Sequence, residues 1–198
     1  MKKRYFTLSR KQLAIVCTSL LMSWGNSALA GSATNNIEFS VTFVGGGCEI
    51  SAIPPIQFND GNVLLSADIE QGSAATKKVF DLTLINCSGW GLTPAIYVSG
   101  QTTTDFGVAM FRDQSASMDA NGYGVLLSTP GNASFNGNNN LAISPSKIEA
   151  KNWSAETELS SITTVLPITA QLSCGDCHYA SRQGGDFKAT VTFDFVYE

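Results

Sequence analysis

The chain has 198 residues, 43% of them hydrophobic and 14% charged, with a formal net charge of −4 and one histidine. Its acidic balance excludes a basic nucleic-acid-binding surface. The lone histidine, set beside two cysteines, leaves no Ser-His-Asp arrangement for a hydrolase, and no enzymatic activity is expected.

The first thirty residues read as a secretory signal. Lys2, Lys3, Arg4, Arg10 and Lys11 form a basic start, Leu13 to Met22 an apolar run, and Ala28-Leu29-Ala30 a small-x-small cleavage site. The run is short for a bilayer span, and no later segment is apolar for long enough to act as a membrane anchor. Cleavage after Ala30 leaves 168 residues, enough for one domain, with seven basic and sixteen acidic residues and hence a net charge of −9.

A polar stretch, residues 31–36, leads into Ile37-Glu38-Phe39-Ser40-Val41-Thr42-Phe43, which alternates strictly with Ile37, Phe39, Val41 and Phe43 on one face. Gly45-Gly46-Gly47 then loosens the backbone and is read as a hinge, which would let the preceding segment point away from its own domain. From Cys48 onward short apolar segments alternate with Gly, Pro, Asn and Asp, and no 3.6-residue period is sustained. Val79–Cys87 is predicted as a strand with Phe80, Leu82 and Leu84 inward. Ala95–Ser99, Gly107–Phe111, Gly124–Ser128 and Leu166–Leu172 are further strands. Phe135–Asn140 is a polar loop, and Lys147–Leu159 is the region expected to hold a short helix or irregular crossover. Strands at this spacing predict an all-β sandwich of the immunoglobulin type.

The chain closes on its most regular stretch. Phe187, Ala189, Val191, Phe193, Phe195 and Tyr197 share one parity, while Lys188, Thr190, Thr192, Asp194 and Glu198 share the other; Val196 alone breaks the pattern. On its apolar parity, neither this strand nor Ile37–Phe43 carries the charge, proline or bulge that normally blunts an exposed edge. The economical reading is strand addition between chains, the N-terminal segment of one molecule lying beside the C-terminal strand of another.

Cys17 leaves with the signal, so Cys48, Cys87, Cys174 and Cys177 enter an oxidising compartment. Four cysteines allow three pairings. Cys48–Cys87 with Cys174–Cys177 is favoured, because any other choice converges two cross-links on one loop. Cys174-Gly175-Asp176-Cys177-His178 matches the c-type haem attachment pattern, and the same residues invite readings as a redox pair or a zinc site. A second haem ligand, a helix N-terminus and a fourth zinc ligand are not apparent around it. The expectation is a structural disulfide, with no cofactor and no metal. Asp105, Asp113 and Asp119 are read as solvated loop charges rather than a paired acid and base. Trp90, Trp153, Tyr97 and Tyr123 are read as core or rim packing rather than a carbohydrate patch.

Taken together these residues resemble a pilin of the chaperone–usher pathway fimbrial family. The resemblance rests on Gly185 as the fourteenth residue counted from the end, the penultimate aromatic Tyr197, the alternating Phe187–Tyr197 strand, the Phe80-x-Leu82-x-Leu84-x-x-Cys87 strand and the Cys48…Cys87 separation. It implies an incomplete immunoglobulin-like sandwich lacking its last strand, with residues 1–30 the signal, 31–47 a donor-strand extension and hinge, and 48–198 the pilin domain. The implied donor strand is Ile37, Phe39, Val41 and Phe43. The implied acceptor groove and chaperone-binding strand are Gly185, Phe187, Ala189, Val191, Phe193, Phe195, Tyr197 and Glu198, the last offering its terminal carboxylate to a chaperone. The family's donor row commonly carries a glycine where Val41 stands. The implied partners are a periplasmic pilus chaperone, an outer-membrane usher and neighbouring pilin subunits, in a homo- or hetero-polymer at the cell surface. A minor tip adaptor or adhesive pilin binding a host ligand directly is the alternative.

Overall fold

Nine short strands and almost no helix make up the computed structural model, which describes residues 45–91, 93–114 and 119–197. The predicted signal, the donor residues Ile37, Phe39, Val41 and Phe43, and Glu198 lie outside the described residues. The strands are β1 (Gly45–Ile50), β2 (Lys77–Trp90), β3 (Pro94–Gly100), β4 (Thr102–Thr103), β5 (Met110–Phe111), β6 (Gly124–Ser128), β7 (Lys147–Glu149), β8 (Val165–Ser173) and β9 (Val191–Tyr197). They form a six-stranded sheet, β1-β2-β8-β6-β5-β4, and a three-stranded sheet, β7-β3-β9, with antiparallel neighbours throughout. This is the all-β, immunoglobulin-like arrangement expected from the sequence.

The core lies between the two sheets and follows the period of two. On β2 the inward Leu82 and Leu84 are buried, on β8 Leu166 and Ile168, and Ile96 answers them from β3. The polar loop is anchored rather than merely solvated. The Asn132 side chain accepts from the N–H groups of Ser134 and Phe135 and donates to Thr163 O and Val165 O, while Phe135 and Leu141 plug the core from either side of residues 136–140. A second, smaller cluster gathers Ile69, Ala120, Tyr123, Leu172 and Cys174, and shares Phe58 and Phe187 with the main core.

Three local expectations are corrected. Gly45-Gly46-Gly47, read as a hinge, opens β1 and pairs with Ser88-Gly89-Trp90. Glycine is needed there for close approach: Gly46 and Gly89 both have positive φ, and a Cβ on either would collide with the backbone of the other strand. Only Met110–Phe111 of the predicted Gly107–Phe111 strand is paired, because the chain is still turning at Gly107, whose N–H donates to Thr104 O. Lys147–Glu149, placed in a crossover, is instead β7, with Ile148 buried opposite Ile96. Three residues are too few to show a period. The one α-helix among the described residues, Ser66–Glu70, is short enough to escape notice for the same reason.

Candidate functional site: an apolar groove beside the last strand

β9 is an edge strand that the sandwich leaves only half covered. Its ladder runs from Val191 opposite Gly100 to Tyr197 opposite Pro94, and among the described residues β3 is the only strand it pairs with. Its inward row, Val191, Phe193, Phe195 and Tyr197, packs against the core yet stays half-buried. The aromatic rings find one another edge-on, Phe193 against Phe80 across the two sheets at 6.3 Å and Phe195 against Tyr197 at 5.8 Å.

Along this strand runs an apolar groove of about 560 Å³. Phe187, Ala189, Val191 and Phe193 form one wall. Ile53, Pro54, Pro55, Ile56 and Phe58 form the other, and Phe80, Val125, Leu127 and Ala170 supply its floor from the six-stranded sheet. The proline wall carries no N–H at two successive positions, which keeps it from closing the gap by pairing with β9 there. The arrangement offers a hydrophobic slot flanked by one strand with main-chain groups to spare, a geometry suited to an extended peptide with alternating apolar side chains.

Of the predicted acceptor residues, Phe187, Ala189, Val191 and Phe193 meet in the groove, while Phe195 and Tyr197 continue the row onto the core. Tyr197 reaches β1, its hydroxyl lying beside Gly47 where a Cβ would sit only 2.8 Å away. Gly185 is exposed and is not among the lining residues, and the ladder starts six residues beyond it. Sequence reasoning missed the wall Ile53–Phe58, although apolar residues spaced around a Pro-Pro pair are themselves an edge signal.

The approach to β9 is held from the side. Asp113, read as a solvated charge, accepts from the Thr190 N–H at 2.9 Å and from Thr190 Oγ1 at 2.7 Å. Partial burial favours its neutral form, but those hydrogen bonds and the charge of Lys188 outweigh that and hold its carboxyl below the ordinary value. Arg112 lies over the Phe187 ring at 5.8 Å and donates to Tyr123 O and Ala120 O. Burial lowers its pKa, against the pull of Asp119 and Tyr179.

The four cysteines form two disulfides, Cys48–Cys87 between β1 and β2, and Cys174–Cys177 across a tight turn. His178 is exposed and directs its N–H to Asp176 Oδ1. The aromatics weighed as a patch do not gather. Tyr123 sits in the second cluster, Trp153 packs on the main core, and Trp90 is exposed.

A chain from the structure of a chaperone–usher pilus, described for the molecular basis of rod uncoiling, superposes on this one with a TM-score of 0.50 at 20% identity, covering 84% of this chain and 97% of that one. The P pilus rod subunit PapA matches at 18% identity with a TM-score of 0.47, covering 83% of this chain and all of that one. No curated protein sequence matches. The model of the family described as fimbrial protein matches residues 37–198, from the first residue of the alternating N-terminal segment to the last of the chain, and the chain therefore belongs to the fimbrial protein family.

Proposed function

We propose that the chain is a structural, non-enzymatic subunit of a surface fimbria that polymerises by donor-strand exchange and so supports cell adhesion. The observation that carries this reading is the unfinished edge at β9: a row of large apolar side chains, half-buried, beside a groove of about 560 Å³. In the polymer, Ile37, Phe39, Val41 and Phe43 of one subunit fill that groove in its neighbour. Burying four such side chains contributes roughly 6–12 kcal/mol, comparable with the whole stability of a domain, about 5–15 kcal/mol. A gain of that size makes the added strand part of the fold rather than an accessory to it.

The same magnitude explains why a helper is needed before assembly. In this reading a periplasmic chaperone covers the β9 edge first, with Tyr197 and Glu198 where it takes hold, and an outer-membrane usher exchanges it for the next subunit's extension. Membership of the fimbrial family and a fold shared with a chaperone–usher pilus chain support that route. Deleting residues 31–40 tests it. The shortened subunit is expected to accept a donor but give none, so that assembly stops at it; polymers that continue to grow from that deletion overturn the proposal. Phe193→Asp, which sets a charge in the groove, is expected to abolish chaperone capture and leave the subunit to periplasmic proteolysis, read by immunoblot of periplasmic extracts.

A further inference from the structure

Residues 184–190 belong to no strand ladder, yet Phe187 and Ala189 line the groove alongside Val191 and Phe193. Ordering unpaired backbone costs conformational entropy at every residue, so this stretch needs an anchor. β3, which flanks β9, ends at Gly100 opposite Val191. Beyond that point two consecutive residues following β5 take its place. The Asp113 N–H donates to Lys188 O at 3.2 Å, and the Asp113 carboxylate accepts from the N–H and hydroxyl of Thr190. Arg112 donates its N–H to Gln101 O at 2.9 Å, just past the end of β3, and covers Phe187 with its guanidinium.

Lys188 C=O and Thr190 N–H are two residues apart and point to one side of the extended chain, the side of β3. Thr190 O lies on that side too, against Gly100. Because main-chain groups alternate between the two edges of a strand, those of Phe187, Ala189 and Val191 turn to the other edge, the one beside the groove.

We propose that Arg112 and Asp113 are positioning residues of the acceptor edge: standing in for β3 beyond Gly100, they hold Lys188–Thr190 extended and lengthen the template offered to an incoming strand back to Phe187. This rests on the donor-strand reading and adds to it the residues that fix how far an added strand pairs, and hence its register. A tie that served stability alone would weaken every complex equally. A positioning pair acts on one end of the donor.

The test is exchange of three synthetic peptides into the full chain held by its chaperone, before any subunit has donated its own segment: Ile37–Phe43, a form lacking Ile37-Glu38, and a form lacking Thr42-Phe43. In the wild type, the shortened form that has lost the end lying over Phe187–Thr190 is expected to bind about tenfold more weakly than the full peptide. Asp113→Ala should weaken the full peptide about tenfold and bring it level with that shortened form. Hydrogen exchange should then lose protection over Phe187–Thr190 and keep it over Val191–Tyr197. Equal weakening of all three peptides, or none, overturns the inference. A wild type that binds none of them overturns the donor-strand reading beneath it. Thr190→Val, which removes one donor to Asp113, keeps the proposal testable if Asp113→Ala does not fold: the same end-specific pattern is expected at about threefold, and a uniform or absent effect again overturns it.

Discussion

β8 and β9 share a sequence pattern and differ in company. Both alternate apolar and polar residues with a period of two, and both turn the apolar row toward the same core. β8 lies between β2 and β6, and its Leu166, Ile168, Ala170 and Leu172 are all buried, the first two completely. β9 has β3 on one side and the groove on the other, and its larger Val191, Phe193, Phe195 and Tyr197 are only half-buried. Alternation decides which face a strand buries; the number of neighbours decides how completely. A chain that places so bulky a row on a strand with one neighbour has left part of its core to be completed.

Substitutions that sort the two strands test this contrast. Leu166→Ala should cost the most, about 2–5 kcal/mol in denaturant unfolding, since it removes a fully enclosed side chain. Replacing Cys174 and Cys177 with serine, just beyond the end of β8, should cost about 2 kcal/mol by loop entropy, read as a lower thermal midpoint. Phe193→Ala should cost only about 1–2 kcal/mol, because the ring is already partly in water. Saturation with an Ile37–Phe43 peptide should then raise the Phe193→Ala cost toward the β8 value and leave the Leu166→Ala cost unchanged. Equal costs without peptide would mean that β9 is as covered as β8. The smallest effect concerns acid. Asp113 is held below its ordinary value of 3.8, so its contribution is present above that pH and is lost as pH falls through the lower folded value. The thermal midpoints of wild type and Asp113→Asn, compared from pH 7 to pH 2, should therefore converge only below about pH 4.

Much of the fold was legible because burial on one face leaves a trace in the sequence. Gly124–Ser128 was placed to the residue, and Leu166–Leu172 came within one residue of β8 at each end, because a flanked strand must repeat its apolar parity until it leaves the sheet. The groove was legible on one wall only. Phe187, Ala189, Val191 and Phe193 share a parity, whereas Ile53–Phe58 and the floor residues come together through topology that a linear pattern does not carry. Asp113 was hidden for a related reason. Its value lies in the hydrogen bonds of Thr190, 77 residues away, and a carboxylate in a loop looks the same whether its partner is water or a backbone.

The link between β1 and β2 also fixes where tension can act. A pull on the N-terminal end of the domain enters at Gly45, and three residues on it meets a covalent bond, Cys48–Cys87. Only the short run Gly45–Gly47 can peel from its partner strand before the load passes through sulfur to Cys87, near the end of β2 and one strand in from the edge of the larger sheet. The covalent path skips the chain between the two cysteines, 39 positions apart in sequence, including the first part of β2. A pull on this domain is therefore borne along paired strands and a cross-link, and the loop between the two cysteines stays out of the load path.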